Sequence, residues 1–175
     1  MDIVKIAKQL GFADAAVIDV KEIRFEREFR MYCEQNLCGK YGANYTCPPH
    51  CGGEQEMRQK VLQHAHALVV RSLHQEVKYS DNSAVRGAQI KHNNDMLALV
   101  KQLKKGGLAP LTVGASDCTL CEKCLWDKEK ACPHEEDRFS CMSAYCMNVA
   151  DLAQKCGIDY TYNEGVLSLF GMICF

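Results

Sequence analysis

The residues best placed to do chemistry lie in the run Asp117–Pro133. Cys118, Cys121 and Cys124 recur at every third position, and Cys132 stands directly before Pro133. Each C-x2-C step lets two thiolates converge while the amides of the intervening loop point at the sulfurs. Three thiolates within seven residues curl round one corner of a compact object, and a later cysteine closes the site. A cubane iron–sulfur cluster takes that arrangement, and the bacterial ferredoxin run C-x2-C-x2-C-x3-C-P is the nearest pattern. The last spacer here is seven residues rather than three, so Cys132 can close the same cluster instead of serving another. Four cysteines also make a tetrahedral structural zinc site, but such sites usually draw two separated C-x2-C pairs. Spacing and ligand softness put iron–sulfur ahead of zinc, with a disulfide framework third.

A second set of four thiols comes earlier. Cys33, Cys38, Cys47 and Cys51 are interleaved with Gly39, Gly42, Pro48 and Pro49, and His50 is a possible substitute ligand. Glycine permits tight approach and the proline pair fixes the backbone, so this stretch reads as a shaped loop. Its spacing is irregular, and the alternative is a Gly/Pro loop carrying free thiols. A second metal centre is favoured because a complete partner site exists elsewhere in the chain.

The other polar candidates have competing readings. Cys141 and Cys146 are spare soft ligands near the 118–132 run, and either could replace Cys132. Arg138 could hydrogen-bond a cluster sulfur, or pair with Glu135 or Glu136. His134 has either a supporting role beside Cys132 or an exposed one. His64, His66, His74 and His92 lack metal-ligand spacing and read as core or surface residues. Cys156 and Cys174 fall in helical and strand patterns, where cysteine behaves as a small buried hydrophobe. There is no G-x-G-x-x-G, phosphate loop, G-x-S-x-G or H-E-x-x-H.

The scaffold around these loops is ordinary. The 175 residues, 47% hydrophobic and 25% charged, suit one globular domain. A net charge of −1 gives no field to draw the protein to nucleic acid or an anionic membrane. The N-terminus is charged at close intervals and carries no apolar signal region, and no run approaches the ~18 apolar residues of a membrane span. A cytoplasmic protein is therefore expected, and in that compartment 12 cysteines indicate metal or redox chemistry rather than disulfides.

Periodicity supplies the elements that must hold the loops. Asp2 caps a helix with Ile3, Ile6, Ala7 and Leu10 on one face, stopped by Gly11, and residues 15–20 form a buried strand. Residues 21–31 fit either a helix or a strand. Glu54 and Glu56 open a helix that buries Met57, Val61 and Leu62, and residues 67–73 form a second strand. A cap at Asp81–Ser83 starts a long helix ended by Gly106 and Gly107. Residues 108–114 form a third strand, with the central cysteine run leaving its C-terminal end. A helix over 148–156 precedes a closing hairpin, 158–162 and 166–175, turned at Asn163, Glu164 and Gly165.

The run from Cys38 to Gly42, then Cys47-Pro48-Pro49, and later Cys118, Cys121, Cys124 and Cys132 before Pro133 resembles the predicted metal-binding family called domain of unknown function 2284. The resemblance covers nearly the whole chain and includes Arg138-Phe139-Ser140, where the family often reads Arg-Pro-Ser. It implies a small prokaryotic α/β protein with cysteine-bound metal and unassigned activity. Cys51, Cys141 and Cys146 fall outside the family pattern, which leaves the fourth ligand of the earlier region open. The order of elements is also similar, at fold level only, to ferredoxin-bearing cobalamin-dependent reductases.

The expectation is a single α/β domain over residues 1–175: a mixed sheet flanked by helices, a C-terminal β-hairpin, and two irregular cysteine loops at about 33–53 and 117–146. One or two [4Fe–4S] clusters would sit on Cys118, Cys121, Cys124 and Cys132, and on Cys33, Cys38, Cys47 and Cys51. The function would be electron transfer or reduction with a redox partner protein, and without nucleic acid or membrane. The alternatives are an enzyme in which a cluster feeds an organic or corrinoid cofactor, and a zinc-stabilised binding module.

Overall fold

The structure is a computed structural model that describes residues 1–126 and 130–175. Five strands form one sheet in the order β1-β2-β5-β3-β4. These are β1 (Asp14–Asp19), β2 (His66–Gln75), β3 (Leu111–Gly114), β4 (Ser140–Cys141) and β5 (Val166–Cys174). Every neighbouring pair is antiparallel except β3 and β4, which run parallel, so the sheet is mixed.

β2 and β5 sit inside the sheet because both their faces are apolar. In β2, Leu68 and Val70 face one side while Ala67 and Val69 face the other, and all four are fully buried. In β5, Ile173 joins the first side, and Phe170, Met172 and Cys174 join the second. Such runs require a covering layer on each face. On the first side that layer is α1 (Ile3–Gln9) and α4 (Asn82–Lys105), which contribute Ala7, Met96, Leu99 and Leu103. On the second it is α3 (Glu54–Leu62) and α5 (Val149–Lys155), with Met57, Val61, Leu152 and Ala153. Each such Met, Leu or Val side chain taken fully out of water contributes about 1.5–3 kcal/mol, so these two layers hold the scaffold. The result is a three-layer α/β domain.

The caps fall where the sequence places them. The Asp2 carboxylate accepts from the Lys5 amide at 2.9 Å, and Asp81 accepts from Ser83 and Ala84 at 3.0 Å each. Residues 27–34, within the ambiguous stretch and just beyond it, resolve as helix α2 (Arg27–Glu34). The third strand is shorter than expected and begins at Leu111, just after Pro110, which has no amide to offer a ladder. The closing hairpin contracts to a single antiparallel bridge between Asn163 and Val166. Residues 158–162 form no ladder. The Asp159 carboxylate accepts from the Thr161 amide at 2.9 Å and its hydroxyl at 2.6 Å, a local turn that competes with strand pairing. The long arm instead lies between β2 and β3. Among the described residues no helix is long and apolar enough to cross a membrane.

Candidate metal centre

Both cysteine regions are loops hung on this scaffold. The earlier one runs from the end of α2 to the start of α3, and the later one joins β3 to β4. Gly39 and Gly42 in the first adopt φ of 70° and 67°, the left-handed region that side chains other than Asn and Asp rarely enter. Asn36, at φ 54°, accepts from the Tyr41 amide at 3.0 Å through its side chain and from the Gly39 amide at 3.0 Å through its carbonyl, closing a turn around Cys38.

Asn44 organises the next turn. Its buried side-chain oxygen accepts from the amide and hydroxyl of Thr46, both at 2.9 Å, while its Nδ2 donates to Cys47 Sγ at 3.3 Å. Thr46 Oγ1 in turn accepts from the Cys118 amide at 3.3 Å, so the first loop is bonded to the first thiol of the second. Further contacts seal the loops together. The rings of His50 and Trp126 stack with centroids 3.9 Å apart, the Tyr45 hydroxyl donates to the Lys130 carbonyl, and Arg138 covers the Tyr45 ring at 4.9 Å.

The later loop is held from beneath by α4. Arg86 binds Asp117 at 2.7 Å, and Asn93 Nδ2 donates to Thr119 Oγ1 at 3.1 Å. Lys40, from the other loop, reaches the same Asp117 at 3.6 Å.

Cys118, Cys121, Cys124 and Cys132 all line one cavity of about 130 Å³. His134 and Arg138 stand on its wall, with Arg138 also paired to Glu135 at 3.0 Å, so both roles read for it are compatible with its position. A second cavity, of about 500 Å³, is lined by Cys33, Cys38, Cys47 and Cys141. Lys40, Arg86 and Asp117 belong to both walls, so the two thiol sets are neighbours across one ion-paired partition. Cys51 and His50 lie on a third cavity with Glu56 and Tyr145. Cys146 is buried at the left-handed end of a 3-10 turn, Met142–Tyr145, with φ 61°. Among the described residues no three His, Cys, Asp or Glu side chains converge on the geometry of a single-ion site.

Burial sets the state of the thiols. It pushes Cys47 up to about 12 despite the opposing Asn44 hydrogen bond, and it also raises Cys118 and Cys51. Cys33 is lowered, chiefly by hydrogen bonding with Cys141, whose own thiol is pushed well up by the same pairing and by burial. Cys174, wholly inside the core, rises to about 12, and Cys156, packed against that core, to about 11, which is the behaviour of inert hydrophobes. A metal held by these sulfurs would have to displace protons from several of them, which would make its binding pH-dependent.

Sequence reasoning missed Asn44, Arg86, Asn93 and Asp117. Asn93 carried a readable signal, a polar residue on the inward stripe of a long helix, and Asp117 stood at the head of the cysteine run.

A mixed-sheet α/β scaffold carrying two thiol-lined loops defines a cysteine-rich metal-binding class, since soft thiolates with converging N–H donors are a metal-ligand environment. The family model of predicted metal-binding proteins (DUF2284) matches residues 16–175, and the chain belongs to that family. No curated protein and no solved structure matches it.

Proposed function

We propose that this is an iron–sulfur protein acting in electron transfer or reduction. Cys118, Cys121, Cys124 and Cys132 would hold a [4Fe–4S] cluster, and the thiols of the earlier loop a second. The observation that carries this reading is the gathering of four closely spaced thiols, and no other cysteine, around one small cavity. An all-thiolate set with a tight C-x2-C-x2-C core suits a cubane better than a single zinc ion. When bound, the cluster supplies one-electron chemistry. The chain supplies the thiolates and the burial that tunes the potential, and Asn44 gives an N–H donor to sulfur in the earlier loop.

Protein purified without oxygen is expected to contain iron and acid-labile sulfide and to show a broad visible absorption that bleaches with dithionite. Stoichiometric zinc without sulfide, under conditions that assemble clusters, would overturn the reading.

One observation favours the enzyme alternative. The second cavity, about 500 Å³, falls in the size range of small-molecule sites. Tyr32, Leu37 and Tyr41 give it an apolar wall, and residues 115–117 bring it to the C-terminal end of β3. In this reading the clusters deliver electrons to an organic molecule held there. Reduced protein that is reoxidised only by a partner protein, and by no small acceptor, would favour the plain carrier.

A further inference from the structure

We infer that Cys141, not Cys51, completes the metal centre of the earlier loop, giving the ligand set Cys33, Cys38, Cys47 and Cys141. The inference rests on the reading that this loop binds metal. It makes the second centre a joint product of two distant chain segments rather than of one loop.

The parallel pairing of β3 and β4 carries the argument. Its register sets Cys141 directly beside Gly114, the last residue of β3. Both strands therefore end together, and loops at the carboxyl ends of parallel strands form the crevice in which α/β proteins seat their ligands. From that position Cys141 lines the same cavity as Cys33, Cys38 and Cys47.

Cys51 is occupied elsewhere. It lines the third cavity, on the α3 side, and its sulfur sits 3.9 Å from the Gly52 carbonyl. The buried Arg30 holds the neighbouring backbone by donating to the Gly52 carbonyl at 2.6 Å and the Ala144 carbonyl at 2.7 Å. Turning Cys51 toward the other thiols would take its sulfur off the wall of the third cavity and away from the Gly52 carbonyl. A guanidinium donates and does not accept, so Arg30 serves here to tie the turn at Gly52 to the turn at Ala144.

The test is iron and sulfide content of the full chain, reconstituted with iron and sulfide without oxygen. Cys51→Ala is expected to hold as much iron as the wild type, and Cys141→Ala about half. In a Cys121→Ala background, which isolates the earlier centre, Cys141→Ala should remove the remaining iron and Cys51→Ala should not. If Cys141→Ala does not fold, Cys141→Ser keeps the packed volume and should shift the electron paramagnetic resonance of one centre only. Loss of iron in Cys51→Ala, or full iron with unshifted spectra in the Cys141 variants, overturns this assignment while leaving the two-centre reading intact. A protein emptied by Cys121→Ala alone overturns the two-centre reading itself, and this assignment with it.

Discussion

Arg86 of the long helix grips Asp117, the residue just before the first thiol of the central run, with guanidinium and carboxylate atoms 2.7 Å apart. Asp117 is mostly buried and is shared with Lys40 at 3.6 Å. The rigid layer of the fold is thereby connected to both cysteine loops through one carboxylate. Arg86→Gln keeps a donor but loses the charge and the two-pronged geometry, which a single amide cannot reproduce. The expected outcome is a 10–100-fold weaker hold on metal, the range seen when groups supporting ligands are removed. Chelator competition measured on wild type and variant checks this, and equal rates of metal loss would refute it.

Metal removal should loosen the loops before the scaffold. Residues 35–53 and 115–126 have few ladder bonds of their own and rely on contacts such as Cys118 to Thr46. The helix α4, by contrast, buries Met96, Leu99 and Leu103 completely. Binding free energy acts as folding free energy where a site is not held in place without its ligand. Hydrogen exchange after chelation is expected to speed up in those two stretches and to stay slow across α4. Equal protection with and without metal would contradict it.

Sequence and structure part company where contacts are non-local. The nearness of the 118–132 thiols was legible because it follows from their spacing, and all four line one cavity. The position of Cys141 was not legible as a neighbour of Cys33. It depends on a two-residue parallel strand, Ser140–Cys141, too short to leave a pattern. The expected arm 158–162 shows the opposite error. Ile158, Tyr160 and Tyr162 alternate as a strand should, yet Tyr160 and Tyr162 are exposed and the Asp159 side chain closes a turn. Period-2 alternation records a face to be buried only when a neighbouring strand is there to bury it.

Acid should destabilise the fold through His92. This side chain is fully buried on α4, with Nδ1 2.6 Å from the Ser72 hydroxyl and no partner for Nε2. Burial, with help from His74 and Lys91, depresses it from 6.5 to about 3. The folded state thus holds it neutral, while the unfolded chain takes up a proton below about 6.5. Its contribution is complete above that pH and is lost as pH falls towards 3, at up to about 1.4 kcal/mol per pH unit. Urea midpoints at pH 7, 6 and 5 should fall more steeply in the wild type than in His92→Gln, which does not titrate. Parallel pH dependences would show that His92 plays no such part.

A methyl group added at Gly114 should be costly out of proportion to its size. A Cβ built there would sit 2.7 Å from Phe139 Cδ2 and closer still to Cε2. Phe139 cannot easily retreat, because its ring is buried in the core under α4 and its neighbour Ser140 begins β4. Overpacking of this kind costs about 1–3 kcal/mol, and here it would also spread β3 from β4 at the point where Cys141 is placed. Gly114→Ala is therefore expected to lower stability by that amount and to weaken iron retention together with it. Trimming the ring in the same chain, as Gly114→Ala with Phe139→Leu, should recover part of the loss, a coupling that a double-mutant cycle measures. Strictly additive effects of the two substitutions would mean that Phe139 does not lean on Gly114, and the packing that fixes the β3–β4 register would have to be sought elsewhere.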